Sequence, residues 1–371
     1  MSKRNKKLHT KLGTASSIYN HCIALHKRYY RLYKKHLSLY TLQKHITKLK
    51  RLPKFQHWKQ LDAQAIQDIA DRIEKGYLLF FRNIKTKSTR RVSPPSFRKR
   101  SKYRSVTFKQ TGWKLLGGNK IRIGKTTFRY HKSRDIEGTI KTVTVKRDAL
   151  GDIYLYFSCV VEDVQPDRTM TGKIAGFDFG LKTFLTASDG TRIESPLFFK
   201  DGLKKVQKAN RNVSSKKRGS NNRRKARLGL ARAHRKVANQ RRDFQFKTAK
   251  ALVEKYDFLF FEDLNLEGMK ALWGRKVSDL SLHSFHQILG YMAAKHGARV
   301  GRVDRWFPST KTCHTCGCLN DQITLNDREW TCCCGETHDR DHNAAINILL
   351  AGASASGLGD VRRVLAPAVA D

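Results

Sequence analysis

Six of the eight cysteines fall within 22 residues, and an Asp-Arg-Asp triplet follows them almost directly. Cys313 and Cys316 are spaced C-x2-C, and Cys332 and Cys334 are spaced C-x-C. Each pair ends in Cys-Gly, which permits a tight knuckle turn. Four thiolates in a tetrahedral array suit Zn²⁺ and leave no open position, so the metal expected here is structural and not catalytic. Cys333 competes with Cys332 for the third position, although adjacent cysteines bridge one ion poorly. Cys318, His314 and His338 are weaker alternatives. Such crowding does not fit a secreted disulfide framework and points to a reducing compartment and a metal. Cys159 lies in an apolar strand pattern and reads as a core residue.

Three carboxylates form a second candidate constellation. Asp178 sits among Ile174, Phe177, Phe179, Leu181 and Phe184, where a charge is costly unless it is paired or binds a cation. Glu262 and Asp263 follow the apolar run YDFLFF, as acids do at the C-terminal edge of an α/β sheet. Asp341 falls in the first turn of a helix pattern over residues 338–350, with Asp339 placed to cap it. From the residues alone, Asp341 is either a helix-terminus acid or a catalytic one. Mg²⁺ prefers carboxylate oxygens. Two such ions, about 3.5–4 Å apart, can activate water and stabilise a leaving oxygen in phosphodiester cleavage. The chain has no G-x-x-x-x-G-K-[ST] loop, so NTP hydrolysis is not expected.

Charge points to the substrate. Lys and Arg number 75 against 31 acids, a net charge of +44. That self-repulsion is relieved by a polyanion through ion pairing and counterion release. No acid precedes Asp62, and residues 201–250 carry 18 Lys/Arg against two Asp. Basic blocks at 1–61, 82–109 and 203–250 suit a long nucleic-acid channel. Lys182, Arg223, Arg224, Lys225 and Arg241 are the candidate backbone contacts. No apolar run is long enough to span a bilayer, and no secretory leader is visible.

These groups need elements to position them. The chain reads helical through residue 50 and again over 63–82. Tyr19, Tyr29, Tyr30, Tyr33 and Tyr40 read mostly as a buried stripe, with base stacking as the alternative. Residues 85–104 read as a loop ordered by nucleic acid. Short apolar runs from residue 104 to 161 predict a small antiparallel barrel or sheet. A second domain starts near 171 with a strand, a Gly turn and a strand, and Asp189-Gly190 signals a type I′ hairpin. A bend near 214–229 leads to a helix over 231–253 and then to the 256–261 strand. The fold expected is multidomain α+β. It comprises a helical lobe (1–82), a β-barrel (83–170), an α/β domain (171–307 and 336–351), a zinc ribbon (308–335) inserted in it, and a tail (352–371) expected to be disordered.

The runs GFDFGLKTFLTASDG (176–190), FFEDLNLEGM (260–269), PSTKTCHTCG (308–317) and WTCCCGETHDRDHNAAINIL (330–349) make the chain resemble the TnpB proteins of insertion sequences, relatives of type V CRISPR effectors. The resemblance covers roughly residues 10–350, in the family's order. It implies a RuvC-like nuclease domain of the RNase H class, in a protein that binds a guide RNA from the transposon end. It further implies cleavage of guide-matched double-stranded DNA beside a short transposon-adjacent motif. Carried over to the matching motifs, Asp178, Glu262 and Asp341 are the Mg²⁺-binding catalytic residues. The ribbon becomes a target-nucleic-acid-binding module, and the first 170 residues a recognition lobe and wedge barrel. A monomer working in the prokaryotic cytoplasm, near the nucleoid, is expected. Two features depart from the family. The second knuckle is C-x-C where many relatives have C-x2-C, and an opening strand with an aromatic-Arg-aromatic-Pro segment is not visible. The alternative is a non-cleaving nucleic-acid-binding remnant or repressor.

Overall fold

The computed structural model describes residues 6–86, 91–162, 168–324 and 327–358; the side chains of Phe199, Lys270, Leu272, Trp273, Arg275 and Lys276 lie outside that description. The chain divides into two compact units, Met1–Val164 and Gln165–Asp371.

In the first unit, helix α1 (Lys6–Tyr33) is stopped by Lys34 at φ 53°. Such a conformation is costly for a residue with a Cβ and breaks the helical run. Ser38 then caps α2 (Leu39–Leu49), and a 3₁₀ turn spans Pro53–Gln60. Asp62 accepts the Gln64 N–H and opens α3 (Ala63–Lys85). The helical reading through residue 50 is therefore two helices with a sharp break. The tyrosine stripe is split as well. Tyr19 is buried, but Tyr30, Tyr33 and Tyr40 are 60%, 60% and 66% exposed. The loop before the strands is pinned to α1. Asn20 accepts the Arg98 N–H at 2.9 Å and donates to the Arg98 carbonyl, while Tyr19 Oη donates to Ser96.

Six strands follow: β1 (Ser105–Phe108), β2 (Trp113–Gly117), β3 (Lys120–Ile123), β4 (Thr126–Arg129), β5 (Thr139–Arg147) and β6 (Ile153–Val160). The expected barrel does not close. The strands form two separate three-stranded antiparallel sheets, β1-β5-β6 and β2-β3-β4. Three strands are too few to curl into a barrel, and tight turns make β2-β3-β4 a self-contained meander. The sheets meet through side chains instead: Phe108, Ile121, Ile123, Val143 and Val145 share one core with Leu12, Ile18, Trp58 and Ile69.

The second unit is built on a five-stranded sheet. Its strands are β7 (Ile174–Asp178), β8 (Thr183–Ala187), β9 (Arg192–Glu194), β10 (Phe258–Glu262) and β11 (Arg299–Val303), in the order β11-β10-β7-β8-β9. β7, β10 and β11 run parallel, while β8 and β9 return antiparallel. The hairpin after β8 is not type I′. Only Gly190, at φ 82°, is left-handed, and Ala187 N–H reaches the Thr191 carbonyl across a three-residue loop. Such a loop needs one left-handed residue where type I′ needs two.

Helices α4 (Phe198–Ser214) and α5 (Asn221–Lys255) form a hairpin, followed by α6 (Leu266–Leu280) and α7 (Leu282–His296). One sheet face packs Phe177, Leu259 and Phe261 against Leu252, Val253, Phe285 and Leu289. The other packs Phe260 and Val303 against Ile348, Leu349 and Ala353 of α8 (Arg340–Ala355). A parallel sheet covered on both faces reads as continuous apolar strands, as FLFFE does. Between β11 and α8 a two-stranded ribbon, β12 (Glu329–Thr331) and β13 (Thr337–Asp339), carries Cys332, Cys333 and Cys334 in its turn, and the preceding segment, bridged at Thr312–Leu319, carries Cys313, Cys316 and Cys318. α8 extends four residues beyond the expected nuclease boundary at 351, and residues 359–371 of the tail lie outside the described part.

The entry to the second unit is held by a buried ion pair. Asp257 accepts from Arg168 at 2.7 Å and from the Gly172 N–H at 2.7 Å. Arg168 also donates to the Tyr256 and His296 carbonyls. Removing one partner strands the other charge, so Arg168→Ala should cost about 3–5 kcal/mol. The check is the denaturant midpoint of the second unit; a change under 1 kcal/mol would discount the pair.

Candidate active site and cysteine ribbon

Asp178 and Glu262 are the last residues of neighbouring parallel strands, β7 and β10. Phe177 lies opposite Phe261 in the register, and their rings stack at 4.9 Å in the core on one face. Side chains alternate along a strand. Asp178 and Glu262, one residue on, therefore project from the opposite face, which α8 covers. Asp339 caps α8 by accepting the His342 N–H at 2.9 Å, and Asp341 sits in the first turn.

Gly176 makes this approach possible. A Cβ there would lie 2.2 Å from the Ala345 carbonyl oxygen of α8. Backbone of β7 and backbone of α8 are in direct contact, which sets the height of Asp341 above the strand ends. Gly176→Ala should force α8 off the sheet, costing about 1–3 kcal/mol of stability as overpacked sites do. It should also lower nuclease activity more than a surface Gly→Ala change; parallel melting and activity assays would show whether the two losses go together.

The acids feel one another. Burial pushes the Asp178 carboxyl up to about 7, and the charges of Asp341 and Glu262 add to the rise. Burial also raises Glu262, with neighbouring Asp263 contributing. Asp263 itself faces another way, paired with Arg305 and Arg302, and is held below the usual range. Of the Glu262-Asp263 pair, only Glu262 belongs to the cluster. Asp341 is gripped by two guanidinium groups. Arg340 donates to its Oδ1 at 3.0 and 3.2 Å, and Arg328 to its Oδ2 at 3.1 Å.

The ribbon is tied to the same helix. Asn343 Oδ1 accepts the His314 N–H at 3.0 Å, and its Nδ2 donates to the Thr312 carbonyl at 2.8 Å. Asn347, one turn on, donates to the Ser309 and Thr312 carbonyls at 2.8 and 2.6 Å. Both asparagines are buried. Sequence reasoning passed over them, although two Asn four residues apart on an otherwise apolar helix face are a readable signal of buried polar partners.

Cys313, Cys316, Cys332 and Cys334 bring their sulfurs within 4.8 Å of one another. Cys313 to Cys334 is 3.9 Å and Cys316 to Cys332 is 3.5 Å. Four sulfurs around Zn²⁺ at 2.3 Å would stand about 3.8 Å apart, so the donor set fits tetrahedral zinc. Gly317 and Gly335, at φ 78° and 87°, close the two knuckles. Buried His338 lies 3.0 Å from Cys313 Sγ through Nε2, beside the four-sulfur group and not part of it. Burial opposes ionisation of Cys313, but N–H groups at Cys316 and Thr315, with the His338 ring, bring its thiol down to about 5. Cys333 lies outside this group, 3.8 Å from Cys332 and 3.1 Å from Cys318 through sulfur.

The basic candidates divide. Lys182 is exposed in the turn between β7 and β8, at the same sheet edge as Asp178, and Arg224 and Lys225 are exposed on α5. Arg223 instead donates to the Val213 and Lys216 carbonyls, both at 2.9 Å, and closes the α4–α5 turn. Arg241 is paired with Asp279 at 2.6 Å. Nothing in a run of Lys and Arg marks which guanidinium has a carbonyl or carboxylate waiting for it.

Residues 157–272 match the family profile described as "Probable transposase", and residues 283–348 match "Cas12f1-like, TNB domain". A "Putative RNA-guided DNA endonuclease" of Streptomyces pristinaespiralis is 32% identical over 322 residues, 85% of this chain and 78% of the relative. The chain belongs to the TnpB family. A second relative of that description, InsQ of Escherichia coli, is 27% identical over 94% of this chain and 89% of its own. The solved "Cas12f1-sgRNA-target DNA complex" superposes with a TM-score of 0.55 at 16% identity, covering 94% of this chain and 83% of that one. That likeness shows a shared multidomain α/β fold. In this TnpB-family chain, no helix among the described residues is long and apolar enough to cross a membrane.

Proposed function

We propose that the protein is an RNA-guided DNA endonuclease that cuts guide-matched double-stranded DNA beside a short transposon-adjacent motif. The observation that carries this is the gathering of Asp178, Glu262 and Asp341 at one edge of a sheet, where burial and mutual repulsion leave Asp178 near neutral pH. The strand order supports it: three antiparallel strands followed by two parallel to the first is the layout expected of the RNase H class. A buried carboxyl raised by burial and by two neighbouring acids is a candidate cation site.

In this reading Asp178, Glu262 and Asp341 would hold two Mg²⁺ ions, and the chemistry those ions would supply is activation of a water and neutralisation of charge on the leaving oxygen. Asp178 and Glu262 end neighbouring parallel strands, which fix their backbones side by side. Arg340 and Arg328 hold Asp341 in place beside them. Lys182, Arg224 and Lys225 take backbone phosphates, whereas Arg223 and Arg241 shape the helices that carry such contacts. The first unit, with its basic helices and two small sheets, holds guide RNA and duplex, while base pairing supplies sequence choice. The names of the relatives support the guide and the DNA target. The reading implies work on genomic DNA in the cytoplasm.

The test is reconstitution. Protein co-expressed with RNA from its own locus should cut matched DNA with Mg²⁺ and lose cutting in Asp178→Ala. Cleavage that persists without guide RNA or survives Asp178→Ala overturns the proposal; guide-dependent binding without cutting by the wild type would establish the repressor alternative.

A further inference from the structure

Two cysteines remain outside the four-sulfur group, and their placement is specific. Cys318 and Cys333 lie 3.1 Å apart through sulfur. Together with Cys316 they form a second set whose sulfurs all stand within 4.8 Å of one another. All three side chains are exposed. The vicinal sulfurs lie 3.8 Å apart but fall in different groups: Cys332 lies 3.5 Å from Cys316 in the four-sulfur set, while Cys333 lies 3.1 Å from Cys318 in the second set. Each of the two can therefore serve its own ion.

We propose that the ribbon is a two-ion thiolate cluster, in which Cys316, Cys318 and Cys333 bind a second soft divalent cation of the zinc class and Cys316 bridges both ions. This rests on the assignment of Cys313, Cys316, Cys332 and Cys334 to the first zinc. Thiolate is the ligand such ions prefer over oxygen. Cys318 is held ready, because its carbonyl accepts the Cys313 N–H at 2.9 Å and Thr312 bridges to Leu319 beside it. The charge also balances. One Zn²⁺ with four thiolates carries two negative charges, and a second Zn²⁺ with two more thiolates adds none. No fourth His, Cys, Asp or Glu joins the second set among the described residues. Its last position is left to solvent, so the second ion exchanges faster than the first.

The full chain, purified under reducing conditions and saturated with Zn²⁺ or Cd²⁺, is weighed intact under native conditions. The wild type should carry two ions, and Cys318→Ala/Cys333→Ala should carry one. A weak chelator should strip one ion from the wild type and none from the double variant. Cadmium NMR should show two signals coupled through the shared Cys316 sulfur. One ion in both proteins would overturn the second site while leaving the first zinc in place, as would a Cys318–Cys333 disulfide found in the reduced preparation. No ion in either would overturn both.

Discussion

Asp178→Asn should make the metal-free protein more stable while abolishing its chemistry. The native carboxyl titrates near 7, against 3.8 for a free side chain. A carboxyl raised in this way favours the fold while it is protonated. Its contribution is complete below pH 3.8 and is lost as pH climbs through 7. Ionising it in the folded protein therefore costs on the order of 4 kcal/mol once the pH is well above 7. Asparagine keeps the shape and removes that cost. The variant should melt roughly 5–10 °C higher than wild type without metal at alkaline pH, and the two should converge at acid pH. On the proposed Mg²⁺ reading, Mg²⁺ should reverse the order, because cations would compensate the wild-type carboxylates and find one fewer in the variant. Cation affinity of the wild type should strengthen as pH rises through 7, with proton release on binding. Cleavage should fall roughly 10³-fold or more, since metal stabilisation of the transition state is worth several kcal/mol. Melting curves against pH, with and without Mg²⁺, decide the matter. A variant that melts no higher than wild type at alkaline pH without metal would refute this account of burial and repulsion at Asp178.

The same residues show how far a sequence reaches. The α8 start was legible, because Asp339 before an apolar helical pattern is a local capping signal and capping is local physics. The FLFFE strand and its terminal acid were legible because a doubly buried parallel strand is a run of apolar residues. Closure of the 105–160 strands was not legible. Alternation in IYLYFSCV marks a strand, but its partner is chosen by contacts distant in sequence. Gly176 reads as an ordinary strand glycine until the α8 backbone is placed against it. Tyr30, Tyr33 and Tyr40 keep helical spacing yet face water, since periodicity shows that a face is apolar and not that something covers it. Arg223 and Arg241 looked like phosphate contacts because a basic run reports charge, while their carbonyl and carboxylate partners lie elsewhere in the chain.

Stripping the ribbon of zinc should disable the active site without melting the sheet. The buried core of the ribbon is Cys313, Trp330 and Cys332, with Ile323 packed against it. Such a core cannot hold a fold, and in small zinc modules the metal supplies about 10–16 kcal/mol of it. With zinc gone, Asn343 and Asn347 lose the Ser309, Thr312 and His314 groups that bind them, and Arg328 loses its position on Asp341. Packing of Ile348, Leu349 and Ala353 against Phe260 does not depend on the ribbon. The expected result for Cys313→Ser/Cys332→Ser is thus selective. Proteases should cut between residues 308 and 335, the main melting transition should move little, and guide RNA should still bind. Cleavage should fall at least tenfold, the effect of about 1.4 kcal/mol at the transition state, because Asp341 loses one of the two arginines that fix it. If the double variant keeps a protease-resistant ribbon and full cleavage, the thiolates do not support the site. If the whole second unit unfolds instead, the ribbon is part of the core and the coupling through α8 is stronger than the two asparagines and Arg328 account for.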